Sequence, residues 1–130
     1  NLEEFIKKNN LSSHIKLMNF QKNPYPYLKK SKVMILSSVF EGLPNVLLES
    51  LSLKKFVISS NCPTGPKEIL DYGKGGLLFQ MKNKNDLLKK IIYYLQNKKK
   101  CEFLLKNGVN RLWRFDYNSN LQKYVKLINS

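Results

Sequence analysis

The sequence predicts an α/β fold in which helices cover both faces of a parallel sheet and a helical tail ends the chain. Three observations predict it. Short segments such as Val33–Ser38 and Phe56–Ser60 are apolar for most of their length, as strands buried on two faces are. Segments with apolar residues at helical spacing separate them. From Asn85 that spacing runs on to the end, with no further strand-like run. At 130 residues there is room for one domain and one core.

Taken in order, Leu2–Asn9 places Leu2, Phe5 and Ile6 on one helical face. His14–Phe20 is a short apolar run ending in the polar loop Gln21–Pro24, and Tyr25–Ser31 has room for one or two helical turns. Val33–Ser38 reads as a strand closed by serines. Pro44–Lys54 follows as a helix with proline in its first turn, where a missing N–H costs nothing. Phe56–Ser60, rich in strand formers, is the next strand. Thr64–Tyr72 contains a helix opened by Gly65 and Pro66, and Gly76–Gln80 is another short strand.

Behind Asn85, read as an N-cap, Leu87, Leu88, Ile91, Ile92 and Leu95 recur at helical spacing. Gly108 reads as a break. The aromatic and aliphatic stripe that follows, from Trp113 through Phe115, Tyr117, Leu121 and Tyr124 to Ile128, is expected to pack into the core. Strands alternating with helices make the architecture Rossmann-like, and ligands of such sheets bind beyond the carboxyl ends of the strands. Two loops satisfy that rule: Ser37–Pro44 and Ser59–Pro66.

The formal net charge is +14, and lysine supplies 21 of the 23 basic residues. Asparagine is abundant and alanine absent, so a coding bias accounts for part of that charge. The functional readings are an anionic membrane surface, a phosphate-bearing substrate or a nucleic acid. Nucleic acid ranks lowest, because arginine occurs only twice and no base-stacking aromatic pattern is present. No apolar run is long enough to span a bilayer, and the first residues do not read as a signal peptide. Cys62 and Cys101 form no metal or redox spacing, which favours a reduced, cytosolic setting. The single histidine, His14, reads as a structural or surface residue. The first residue is Asn rather than Met, which hints at a start partway through a longer protein.

The chemistry-bearing stretch runs from Ser37 to Glu49. Glu41 lies in a loop after a strand, and Gly42 permits close backbone approach or a left-handed turn. Pro44 opens a helix whose free N–H groups face the crevice, a ready site for phosphate. Asn45 and Glu49 are four apart and share one helical face. Glu49 sits in a stretch apolar enough to be buried nearly all round. A carboxylate there needs donors, which the two hydroxyls of a sugar diol would supply. The alternative is a solvent-facing glutamate that complements the helix dipole. Spacing alone leaves both open.

The block Ser37–Ser60, followed by Cys62-Pro63-Thr64-Gly65-Pro66-Lys67-Glu68-Ile69-Leu70, resembles the signature region of glycosyltransferase family 4, the group 1 retaining GT-B enzymes. Their hallmark, two glutamates separated by seven residues, is matched by Glu41 and Glu49. The strand Gly76–Phe79 and the closing aromatic segment fit the same order. The resemblance implies that Glu41 contacts the transferred sugar and Glu49 holds the ribose hydroxyls of the nucleotide. It also implies that Gly42 and the backbone around Leu43, Asn45 and Val46 face the diphosphate or sugar. Phe20 and Gln21 match the place where the base is contacted, and Lys67 reads as a solvated lysine. The substrate would be a nucleotide-sugar donor, a UDP-sugar, with a glycan or lipid-linked acceptor. No cofactor and no metal are expected.

The resemblance further implies that residues 1–130 are a fragment of a C-terminal donor-binding domain. The N-terminal acceptor domain, a diphosphate-binding Arg/Lys pair and the first two strands of this domain would be absent. The expected location is cytoplasmic, peripheral at the inner face of a membrane. Two departures concern the turn after the glutamate helix: Lys54 and Phe56 stand where the family has Gly and Pro. A left-handed Lys54 would cost roughly 1 kcal/mol. A non-catalytic α/β binding module or degenerate remnant, and more weakly a basic nucleic-acid-binding domain, stay open as alternatives.

Overall fold

Three parallel strands, Val33–Leu36 (β1), Phe56–Ser60 (β2) and Leu77–Phe79 (β3), form one sheet in that order in the computed structural model, which describes residues 1–129. Val33 lies opposite Phe56, and Ile58 opposite Leu77. The central strand is buried at every position, so its alternating side chains feed two cores. Val57 joins Leu47, Leu51, Ile69 and Leu70 in one; Phe56 and Ile58 join Phe79 and Cys101 in the other. Each buried aliphatic side chain contributes about 1.5–3 kcal/mol. The rings of Phe56 and Tyr94 stack at 5.0 Å.

Seven α-helices occur among the described residues, Leu2–Lys8 (α1), Tyr25–Lys30 (α2), Asn45–Ser52 (α3), Pro66–Ile69 (α4), Lys84–Gln96 (α5), Lys98–Asn110 (α6) and Tyr117–Ile128 (α7), of which α3, α5 and α6 pack on the sheet. Of the residues expected to share the first helical face, Ile6 is buried while Leu2 and Phe5 stay exposed. The cap of α5 is Asn83 rather than Asn85. The Asn83 side chain accepts from the Asp86 amide at 3.0 Å, and the Asp86 carboxylate accepts from the Gln80 amide at 2.7 Å. Gly108 is no break either: it lies inside α6, and the helices divide at Asn97.

Gly108 serves contact instead. A Cβ there would come within 2.7 Å of the Gly75 carbonyl oxygen, and one on Gly75 within 2.9 Å of the Gly108 Cα. The two glycines let α6 lie backbone to backbone on the segment that leads into β3. The aromatic stripe also differs from expectation. Phe115 packs on the core, but Trp113, Tyr117, Tyr124 and Ile128 are each at least 66% exposed. The last helix has no layer of the sheet beneath it. It is joined through the chain's two arginines: Arg111 Nη1 pairs with Asp71 Oδ2 at 2.7 Å, and Arg114 donates to the carbonyls of Glu68 and Ile69 at 3.2 Å. The Ser119 amide and hydroxyl donate to Asp116 at the start of α7 and hold its carboxyl below its ordinary range. That cap is therefore present above the ordinary carboxylate range and is lost as pH falls through the lowered value.

Both cysteines are free and buried, and burial pushes the Cys101 thiol above its usual range despite Lys98. After α3 the chain turns through a Schellman motif, with the Lys54 amide bonded to Leu51 O at 2.9 Å and Lys55 to Ser50 O at 2.8 Å. Lys54 occupies its left-handed position at φ 55°. Lys54→Gly is therefore expected to raise stability by about 0.5–1 kcal/mol, read as a higher urea midpoint at unchanged slope. Gly108→Ala is expected to lower it by about 1–3 kcal/mol despite alanine's better helix propensity, because the added methyl meets backbone that cannot rotate away. An unchanged melting temperature in the alanine variant would contradict that packing.

Candidate functional site

The carboxyl ends of β1 and β2 release two loops, and three contacts draw them together. The Ser60 hydroxyl donates to Ser38 O at 2.6 Å, at the root of the first loop. The Thr64 hydroxyl donates to the carbonyl oxygen of Glu41. Gly65, at φ 85°, lies so close that a Cβ would sit 2.2 Å from Gly42 O and 2.5 Å from Pro44 Cδ. The left-handed glycine of this site is thus Gly65, not Gly42. Gly42 has an ordinary φ and faces open space where its side chain would be, the arrangement that admits a ligand close to the backbone.

Pro44 caps α3 from outside rather than occupying its first turn, so Asn45 is the first helical residue. Helix geometry leaves the amides of Asn45 and Val46 without intrahelical acceptors at the crevice. Asn45 is exposed and Val46 half-buried. Glu49 falls in the second turn, on Asn45's face and half-buried. The helix is not buried all round: Leu47, Ser50 and Leu51 face the core, while Asn45 and Ser52 face solvent. The desolvation argument for Glu49 weakens accordingly. The dipole alternative weakens too, since that effect fades beyond the first turn.

Glu41 is half-buried and Glu49 likewise, and among the described residues neither carboxylate makes an ion pair or hydrogen bond. In a chain with 23 basic residues, two partly buried carboxylates without a cation leave their acceptor capacity open to a ligand. Glu3, Glu68 and Glu102 are unpaired as well, but they are exposed and hydrated. Leu43 is exposed beside them.

Phe20 and Gln21 precede α2, upstream of β1. Phe20 is 93% exposed, and Gln21 is held by its own neighbours: its amide donates to Asn19 O at 3.0 Å and accepts from Tyr27 Oη at 3.2 Å. Among the described residues no hydrogen bond links either to the Glu41 loop. Lys67 lies over the Tyr72 ring at 5.4 Å. No group of three or more His, Cys, Asp or Glu that would hold a metal occurs among the described residues. The apolar groove between Lys54, Leu105, Lys106 and Val109 lies toward the amino end of β2 and is not this site. The bracing by Ser60, Thr64 and Gly65 is what sequence reasoning missed. Gly65 and Pro66 marked the opening of a helix, but nothing in them showed which backbone they abut.

Comparison with known proteins shows the family and the fold. A family model described as glycosyl transferases group 1 matches residues 1–111. The N-acetylgalactosamine-N,N'-diacetylbacillosaminyl-diphospho-undecaprenol 4-alpha-N-acetylgalactosaminyltransferase of Campylobacter jejuni is 32% identical over 111 residues, covering 85% of this chain and 30% of its own. The poly(ribitol-phosphate) alpha-N-acetylglucosaminyltransferase of Staphylococcus aureus is 26% identical over 130 residues, covering 99% of this chain and 26% of its own. The chain thus spans less than a third of the length of these relatives. Among solved structures, HepE of Anabaena in complex with UDP superposes with a TM-score of 0.87 at 18% identity, over 98% of this chain and 35% of that one. In sequence and in fold, the chain belongs to the group 1 glycosyl transferases.

Proposed function

We propose that this chain is the donor-binding part of a retaining glycosyltransferase that takes its sugar from a UDP-sugar and passes it to a glycan or lipid-linked acceptor. The observation that carries this reading is the pair of half-buried glutamates without cations, one on the loop after β1 and one on α3. In this reading Glu49 accepts hydrogen bonds from the ribose hydroxyls and Glu41 contacts the transferred sugar. Free amides at the start of α3, with Gly42 and Leu43 beside them, meet the diphosphate. Phosphate charge that builds on the leaving group is then stabilised by fixed dipoles. Phe20 and Gln21 are assigned to the base, on the resemblance alone.

The names of the relatives support the donor and acceptor classes. One acts on a diphospho-undecaprenol-linked glycan, another on poly(ribitol phosphate), and a structural neighbour holds UDP. The non-catalytic alternative has no specific observation in its favour.

The two glutamates are separable by experiment in the full-length protein. Glu49→Gln is expected to weaken UDP by about 1.5–3 kcal/mol, on the order of tenfold to a hundredfold, in calorimetry. Glu41→Gln is expected to leave UDP affinity nearly intact while lowering turnover with the sugar donor. Unchanged UDP affinity in a well-folded Glu49 variant would remove the ribose assignment.

A further inference from the structure

We propose that Thr64 is a positioning residue for sugar transfer, fixing through its hydroxyl the backbone from which Glu41 reaches the donor. The proposal rests on the role given above to Glu41.

Little else holds this part of the loop. Val39, Phe40 and Leu43 are 52%, 74% and 49% exposed, so apolar packing does not define its path. Among the described residues the Glu41 carboxylate makes no hydrogen bond or ion pair. What defines the loop comes from one neighbour, the segment after β2. Ser60 clamps the root at Ser38, and Gly65 abuts the far end at Gly42 and Pro44. Among the described residues Thr64 alone hydrogen-bonds to the Glu41 carbonyl.

That bond sets more than a distance. The peptide between Glu41 and Gly42 is trans and planar, so its C=O and N–H point in opposite directions. With the carbonyl turned toward Thr64, the Gly42 N–H is turned away from the bracing loop. The same hydroxyl therefore fixes the direction of the peptide from which the Glu41 side chain departs. Because Thr64 is exposed, its hydrogen bond exchanges with water and adds little to stability. Its effect is expected in geometry, where a misplacement of about 1 Å lowers turnover by up to roughly a hundredfold. The β-branched side chain also limits the rotamers from which the hydroxyl can swing away.

The test is a double-mutant cycle in the full-length protein, with Thr64→Val, Glu41→Gln and the pair, read by steady-state turnover of the sugar donor and by UDP calorimetry. Thr64→Val is expected to lower kcat roughly five- to fiftyfold, with UDP affinity within about twofold of the parent. Thr64→Ser should recover most of the loss. In the Glu41→Gln background, Thr64→Val should have no further effect, because the group it orients is already gone. Should the valine variant not fold, Thr64→Ala carries the same expectations. Turnover of Thr64→Val within about twofold of the parent, or losses that simply multiply in the double variant, would overturn the proposal while leaving Glu41 in place. An unaffected Glu41→Gln variant would overturn both.

Discussion

The approach of Gly65 to the carbonyl of Gly42 is the constraint on which the crevice depends. A Cβ on Gly65 would sit 2.2 Å from that oxygen, so the two loops can meet only at a residue without one. The positive φ of Gly65 then turns the chain into α4, while Pro44 on the other side turns it into α3. Two helix starts and two strand ends are brought to one place by this single close passage. Among the described residues neither the Glu41 nor the Glu49 carboxylate makes a hydrogen bond or ion pair, so the backbone alone carries each to its place.

Much of the fold was legible in the sequence because its strands are short, apolar and bounded. Phe56–Ser60 matches its predicted limits, and the parallel pairing follows from helix-bearing connections long enough to cross back between strands. The glutamate spacing, with the motif around it, marked the candidate site. Less legible were features that depend on contact across the chain. Gly108 looked like punctuation because a glycine in a helical run usually weakens it. Its use is a backbone contact with Gly75, far away in sequence. Asn85 and Asn83 are equally good caps by residue type, and only the contacts of Asp86, whose amide donates to Asn83 and whose carboxylate accepts from the Gln80 amide, decide between them.

The aromatic stripe shows another limit of periodicity. Amphipathic spacing from Trp113 to Ile128 correctly marked a helix, yet spacing does not say what covers the apolar face. In α7 that face is largely exposed. Lys54 shows the reverse case, a local expense visible in advance. The turn after α3 requires a left-handed residue whatever its side chain, and here a lysine accepts that conformation.

The manner in which Arg111 and Arg114 are used has a consequence for how the molecule carries its charge. Both guanidinium groups are engaged with the end of α4 and the residues just after it, one with the Asp71 carboxylate and one with the carbonyls of Glu68 and Ile69. The remaining side-chain cations are primary amines, since the other 21 basic residues are lysines. The positive charge therefore divides by functional group: guanidinium fastens the C-terminal segment, and ammonium makes most of the electrostatic field. Acylating the amines would erase most of that field while leaving the two fastenings chemically intact.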